Sequence, residues 1–167
     1  SAASDVYKRQ EDDRIILKNF DFTLNNGDKV GLIGEEGNGK SILLKAIVDI
    51  IDVKNYCDVS GKIYLGNEIV GYLPQSLEEE YFDLTANEYL FSQVDIEIVD
   101  YNELYKYLSD FALPADILSN DIKMKELSGG EKIKFILVVE LLKNPTIFLF
   151  DEPSNCLLYT SELPTKA

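Results

Sequence analysis

Eight residues, Gly34, Glu35, Glu36, Gly37, Asn38, Gly39, Lys40 and Ser41, separate two apolar stretches of different character. Lys29-Val30-Gly31-Leu32-Ile33 before them predicts a short buried strand, and Ile42-Leu43-Leu44-Lys45-Ala46-Ile47-Val48 after them predicts a helix. A strand, a glycine-rich turn and a helix in this order make a loop that wraps an anion. Glycine lets backbone N–H groups approach a phosphate chain closely and take positive φ, and the helix points its partly positive N-terminus at the same charge. At this spacing Lys40 reaches β- and γ-phosphates, and the Ser41 hydroxyl ligates the magnesium ion they carry.

Composition narrows the class. A chain of 167 residues supports one domain with a core and is too short for two. Thirty acidic against sixteen basic residues leave a formal charge of −14. That balance opposes a direct grip on nucleic acid, whose affinity comes largely from lysine and arginine on phosphates. Acidic runs such as Glu78-Glu79-Glu80 are expected to be solvated faces. No apolar run reaches the roughly 20 residues of a membrane-spanning helix, and no signal-like N-terminus is present, so a cytoplasmic location is expected. With no histidine and two distant cysteines, neither a zinc site nor a disulfide framework is expected, and Cys57 is taken as a small core or loop residue.

The two ends look foreign to the middle. Residues 5–10, Asp-Val-Tyr-Lys-Arg-Gln, can be encoded by GAT GTG TAT AAG AGA CAG, whose reverse complement read one base in encodes Cys-Leu-Leu-Tyr-Thr-Ser, the sequence of residues 156–161. Such an inverted repeat resembles a transposon-end sequencing adapter. Residues 1–10 and 156–167 are therefore set aside, and residues 11–155 are taken as the domain.

Along those residues, 15–17 and 20–24 alternate like half-buried strands, and Asn25-Asn26-Gly27-Asp28 signals a turn. The helix from Lys40 is predicted to end near Asp52. Residues 61–65 and 68–73, around a Gly66-Asn67 turn, predict a hairpin that Pro74 stops just before Gln75. Between residues 76 and 127 the pattern turns helical, with Thr85 as N-cap of a helix over 86–92. Tyr101, Leu104, Tyr105, Leu108 and Phe111 are assigned to one packed helix face. Residues 127–131, Leu-Ser-Gly-Gly-Glu, open a long helix to about Lys143. Ser128 and Glu131 have capping-box spacing, but two glycines weaken a helix start unless a ligand must approach the backbone. Asn144-Pro145 ends that helix, and residues 146–150 predict a central parallel strand. It runs into Asp151-Glu152-Pro153 at the strand end where ligands of open α/β sheets bind. There Asp151 can hold magnesium while Glu152 accepts a proton from an attacking water.

Taken in order, these elements resemble the nucleotide-binding domain of ABC ATPases. Residues 34–41 match its Walker A loop, Gln75 its Q-loop, residues 127–131 its LSGGE signature, and residues 147–152 its Walker B strand with the following glutamate. The resemblance spans residues 14–155. It implies an α/β P-loop NTPase core with a parallel central sheet, an antiparallel β subdomain and a small inserted helical subdomain. The implied ligands are ATP and Mg2+. Phosphate contacts fall to Gly34, Glu35, Glu36, Gly37, Asn38, Gly39, Lys40, Ser41 and Ile42, metal contacts to Ser41, Gln75 and Asp151, and catalysis to Glu152 with Gln75. Ser128, Gly129, Gly130 and Glu131 would meet the nucleotide of a second cassette facing this one. Glu36, Asn38 and Ile42 depart from the usual Asn, Ser or Ala, and Thr. Backbone cradling survives these changes, but Ile42 removes a hydroxyl and the acids weaken affinity. The family's D-loop, switch histidine and adenine-stacking aromatic have no counterpart in residues 11–155, so the chain alone is expected to bind nucleotide poorly and to hydrolyse it little.

Within that family, residues 151–155 and the opening Glu131-Lys132-Ile133-Lys134 look most like the ABC-F class, soluble proteins with two cassettes that act on the ribosome. On that reading the ribosome is reached through regions outside this acidic chain. The alternative is the ATPase subunit of a membrane transporter, partnered by a permease; the short, acidic stretch from 75 to 128 disfavours it.

Overall fold

The computed structural model describes residues 5–9, 15–30, 39–119 and 121–151. Two compact units divide the chain, residues 1–68 and residues 69–167.

In the first unit, strands β1 (Asp5–Arg9), β2 (Ile15–Phe20) and β3 (Cys57–Val59) form an antiparallel sheet in the order β2-β1-β3. Tyr7 stands opposite Leu17 on one side and Val59 on the other. β1 lies in the segment set aside as foreign; a ladder uses backbone groups that every non-proline residue carries, so its pairing is indifferent to origin. The predicted strand over 20–24 is not formed beyond Phe20, apart from a single bridge position at Thr23. Asn19, at φ 54°, breaks the extended run just before it. The turn that follows is as expected: the Asp28 N–H donates to the Asn25 carbonyl at 3.0 Å, with Gly27 at φ 84°.

Helix α1 (Lys40–Val48) does not continue unbroken to Asp52. Asp49, at φ −145° and ψ 80°, interrupts it, and its carboxylate accepts the Asp52 N–H at 3.1 Å to cap a short α2 (Ile50–Val53). An aspartate competes with the helix for backbone donors, which is why the apolar period alone does not reveal the break. Leu43, Ala46, Val53 and Cys57 form this unit's core, so Cys57 is a core residue.

The predicted hairpin over 61–73 is corrected. Its turn exists, with the Glu68 N–H donating to the Leu65 carbonyl at 3.2 Å. Residues 61–65 are not a strand, and β4 (Val70–Leu73) pairs instead in parallel with β5 (Ile147–Phe150), Leu73 standing opposite Phe150. A local turn signal cannot register a partner so distant in sequence.

The second unit adds α3 (Ala86–Gln93), α4 (Tyr101–Asp110) and α5 (Gly129–Leu142). Thr85 is the N-cap of α3, as predicted, and the structure adds a reciprocal bond from Glu88 that completes a capping box. On α4 the packed face is Leu104, Tyr107 and Leu108, followed by Phe111. Tyr101 and Tyr105, assigned above to that face, are 44% and 49% exposed. The amphipathic stripe is rotated toward Tyr107, whose hydroxyl donates to Glu103 at 2.9 Å and so keeps a polar partner while the ring is buried. In α5, residues 135 to 140 are all buried, so its C-terminal half packs on every side, as expected of a helix apolar all round. Asn144, at φ 54°, ends it in the left-handed conformation asparagine tolerates. The core gathers Leu73 from β4 with Leu90, Leu104, Leu108, Phe135 and Leu137 from the helices.

Candidate functional site

Of the predicted phosphate contacts, Gly34, Glu35, Glu36, Gly37 and Asn38 lie outside the described residues. Gly39 caps α1 at φ 80° and ψ 14°, a conformation side chains disfavour, and its carbonyl accepts the Leu43 N–H at 2.9 Å. Gly39 has no side chain with which to cap this end and no acid occupies the first turn of α1, so no carboxylate of the helix itself competes for its positive pole. Lys40 is half-buried and Ser41 exposed in that first turn. Ile42 packs on the core of the first unit, where an apolar side chain contributes burial in place of a hydroxyl.

In the second unit, parallel pairing brings the ends of β4 and β5 to one edge. Gln75 follows β4 and is exposed; Asp151 follows β5 directly and is 6% exposed. The Asp151 N–H donates to the Leu73 carbonyl at 2.9 Å, and the Tyr72 hydroxyl donates to Asp151 Oδ2 at 3.3 Å. Two of the predicted metal or catalytic residues thus share the carboxyl edge of one sheet, while Glu152 lies outside the described residues.

Sequence reasoning missed two neighbours of that edge. Tyr72 donates its N–H to Glu140 Oε2 at 3.1 Å, and Glu140, only 7% exposed, takes Lys143 Nζ on Oε1 at 2.6 Å. Both carboxylate oxygens therefore carry donors, as a buried charge requires. The signal was available: one acid inside the apolar run Ile136-Leu137-Val138-Val139-Glu140-Leu141-Leu142.

At the start of α5, the Ser128 hydroxyl accepts the Glu131 N–H at 3.1 Å while Glu131 Oε1 accepts the Ser128 N–H at 2.9 Å. The Ser128 backbone N–H, then its hydroxyl, hold the Glu131 carboxyl below the usual glutamate range. The segment entering the helix is fixed by backbone bonds from Met124 to Leu84 at 2.7 Å and from Lys125 to Phe82 at 3.1 Å. Lys132 sits 5.7 Å from the centre of the Phe82 ring. A Cβ added at Gly129 or Gly130 would meet nothing within 4 Å among the described residues, and neither residue has a positive φ. Gly71 is the opposite case: a Cβ there would lie 3.0 Å from two Phe148 ring carbons and from Pro145 Cβ. Packing demands a glycine in β4 and demands neither of the pair on α5.

Among the described residues no cluster of three or more histidine, cysteine or acidic side chains could hold a metal. In the first unit Ser41 carries a hydroxyl oxygen, and in the second Gln75 and Asp151 carry amide and carboxylate oxygens; each is a hard oxygen donor of the kind Mg2+ takes. No described helix is long and apolar enough to cross a membrane.

A family model described as ABC transporter matches residues 17–155. The energy-coupling factor transporter ATP-binding protein EcfA1 of Ureaplasma parvum is 29% identical over 91% of this chain and 54% of its own. The ATP-binding protein Uup of Buchnera aphidicola is 32% identical over 86% of this chain and 24% of its own. The chain thus spans about half the length of one curated relative and about a quarter of the other. A bacterial Atm1-family ABC exporter with ATP bound superposes with a TM-score of 0.67 at 24% identity, covering 94% of this chain and 30% of its own. For cbiO1 of Clostridium perfringens, part of the ABC transporter complex cbiONQ, the TM-score is 0.63 at 19% identity over 92% of this chain and 65% of its own. These likenesses show the fold, an α/β ABC ATPase domain. The family match covers most of the sequence, including residues 34–41, Gln75, the Ser-Gly-Gly helix start and Asp151, and the chain belongs to the ABC transporter family as an ATP-binding cassette.

Proposed function

We propose that residues 11–155 are an ATP-hydrolysing cassette of a cytoplasmic, ABC-F-like protein that works with a second cassette and acts on the ribosome through regions outside this chain. One observation carries the nucleotide part. Gly129 and Gly130 open a helix where neither packing nor backbone conformation asks for glycine. Bare backbone is of use there to an anion approaching from outside the chain, and the phosphates of a nucleotide held by a facing cassette fit that need.

In this reading the N–H groups from Gly34 to Ile42 and the Lys40 ammonium hold this cassette's own phosphates. Ser41, Gln75 and Asp151 would hold Mg2+, which would neutralise phosphate charge when bound. Glu152 accepts a proton from the attacking water, and Gln75 orients that water. Ser128, Gly129 and Gly130 close on the partner's nucleotide, with Glu131 holding Ser128 in place through the cap. ATP then shifts the pair from an open to a closed population, and hydrolysis returns it.

The ABC-F assignment rests on the wording of residues 151–155 and 131–134, with the short, acidic stretch from 75 to 128 disfavouring a transporter subunit. Some relatives, such as Uup and YheS, are named only as ATP-binding proteins, while EcfA1 and ZnuC are named for transport and import. Those transport names favour a permease-coupled ATPase subunit as the second reading. Glu152→Gln in the complete protein separates the two: with ATP, the variant is expected to co-sediment with ribosomes and to lose turnover by about 10²- to 10⁴-fold, the usual loss for a positioned base. Co-purification with a membrane permease and no ribosome association would select the transporter reading. Unchanged turnover would remove Glu152 from the base role.

A further inference from the structure

We propose that Tyr72 is a positioning residue for the metal-binding acid, holding the Asp151 carboxylate in the rotation that presents it to Mg2+. The inference rests on the nucleotide-site reading above and extends it to a residue outside the phosphate loop, Q-loop, signature and Walker B wording. Tyr72 occupies the third position of β4 and makes contacts in two directions. Its hydroxyl donates to Asp151 Oδ2 at 3.3 Å, and its N–H donates to Glu140 Oε2 at 3.1 Å. Glu140 is itself anchored by Lys143 at 2.6 Å. Asp151 is also tied to β4 through its own N–H on the Leu73 carbonyl at 2.9 Å. Backbone and side chain of the acid are thus both referenced to β4, and β4 is referenced to α5 by a buried carboxylate.

The chemistry makes this matter. Mg2+ tolerates little departure from octahedral geometry at about 2.0–2.1 Å, so a carboxylate free to rotate about its last bond spends part of its time misaligned. A phenolic donor on one oxygen restricts that rotation. Partners of metal ligands commonly contribute about 10- to 100-fold in metal affinity. At 3.3 Å this bond is longer than the 2.5–3.0 Å usual for O–H···O, which places the expected effect at the lower end, about 10-fold.

The test compares the unmodified chain with Tyr72→Phe, Glu140→Gln and Asp151→Asn. Mn2+ is titrated in the presence of ATP and read by electron paramagnetic resonance, fluorescent ATP is titrated without metal, and each protein is melted. Tyr72→Phe keeps the ring, so the expected result is an unchanged melting temperature, unchanged metal-free nucleotide binding and about 10-fold weaker Mn2+ binding. Glu140→Gln keeps an acceptor for the Tyr72 N–H and is expected to weaken Mn2+ less. Mn2+ affinity equal to the unmodified chain in Tyr72→Phe, with Asp151→Asn impaired, overturns the role of Tyr72 and leaves the nucleotide reading standing. An unmodified chain that binds fluorescent ATP yet, with ATP at saturating concentration, holds Mn2+ no better than Asp151→Asn overturns both. If Tyr72→Phe does not fold, 3-fluorotyrosine at position 72 reports instead: Mn2+ with ATP is expected to broaden its fluorine resonance, and an unbroadened line overturns the proposal.

Discussion

Gly130→Ala moves stability and activity in opposite directions. Gly130 lies in the first turn of α5 with helical, not left-handed, backbone, and an alanine methyl there would meet nothing within 4 Å. Alanine is about 0.5–1 kcal/mol better than glycine inside a helix because less backbone entropy is lost. In a chain of this size 1 kcal/mol is about 2–4 °C in melting temperature, so the variant is expected to melt about 1–4 °C higher. On the function proposed above, the same methyl would stand where a phosphate of a facing cassette's nucleotide approaches the backbone. Losing one such preorganised donor contact costs about 10²- to 10³-fold in turnover. The assay is a pair of measurements, thermal unfolding of this chain by circular dichroism and phosphate release under saturating ATP by the longer protein in which the proposed second cassette is present. A variant that melts lower would show that the space above Gly130 is filled. A variant that melts higher yet hydrolyses ATP at the parent rate would falsify the claim that this glycine serves nucleotide.

Gly71→Ala is expected to act through packing alone, since its Cβ falls 3.0 Å from the Phe148 ring and from Pro145. Overpacking of this kind costs about 1–3 kcal/mol, visible as an earlier urea midpoint, and an unchanged midpoint would mean that β4 and β5 are not seated as described. Glu131 gives a pH dependence of known sign. Hydrogen bonds from Ser128 depress its folded value below the ordinary 4.5, so its contribution is full above 4.5 and is lost as pH falls through the folded value. Glu131→Gln retains capping-box geometry without the charge. Its melting temperature is therefore expected to lie below the parent near neutrality and to converge on it in acid; a gap that stays constant down to pH 3 removes the carboxylate from the cap.

How much of this was legible follows from how local each signal is. The N-cap at Thr85 and the capping box of Ser128 with Glu131 are legible because a cap is set by residues a few positions apart, although the Glu88 half of the Thr85 box was not read. So were the end of α5 at Asn144 and the strand leading into Asp151. The phosphate loop, Gln75 and the signature residues were named from wording alone, since each motif's chemistry depends on its own few positions and their spacing.

Tertiary structure decided what local spacing cannot carry. Residues 61–73 have the alternation and turn of a hairpin, yet β4 found its partner in β5, and only that parallel pairing sets Gln75 and Asp151 on one edge. The stripe on α4 was misjudged by one step of the helix because periodicity gives the width of an apolar face and not its angle; Tyr107 turned inward and Tyr105 outward. Glu140 was legible as an oddity, an acid in an apolar helix, but not as an anchor for Tyr72, because a hydrogen bond across 68 residues leaves no mark at either position. Residue type determined which chemistry the chain can offer. The pairing of β4 with β5, a long-range event driven by burial of both strands, determined which of those residues meet.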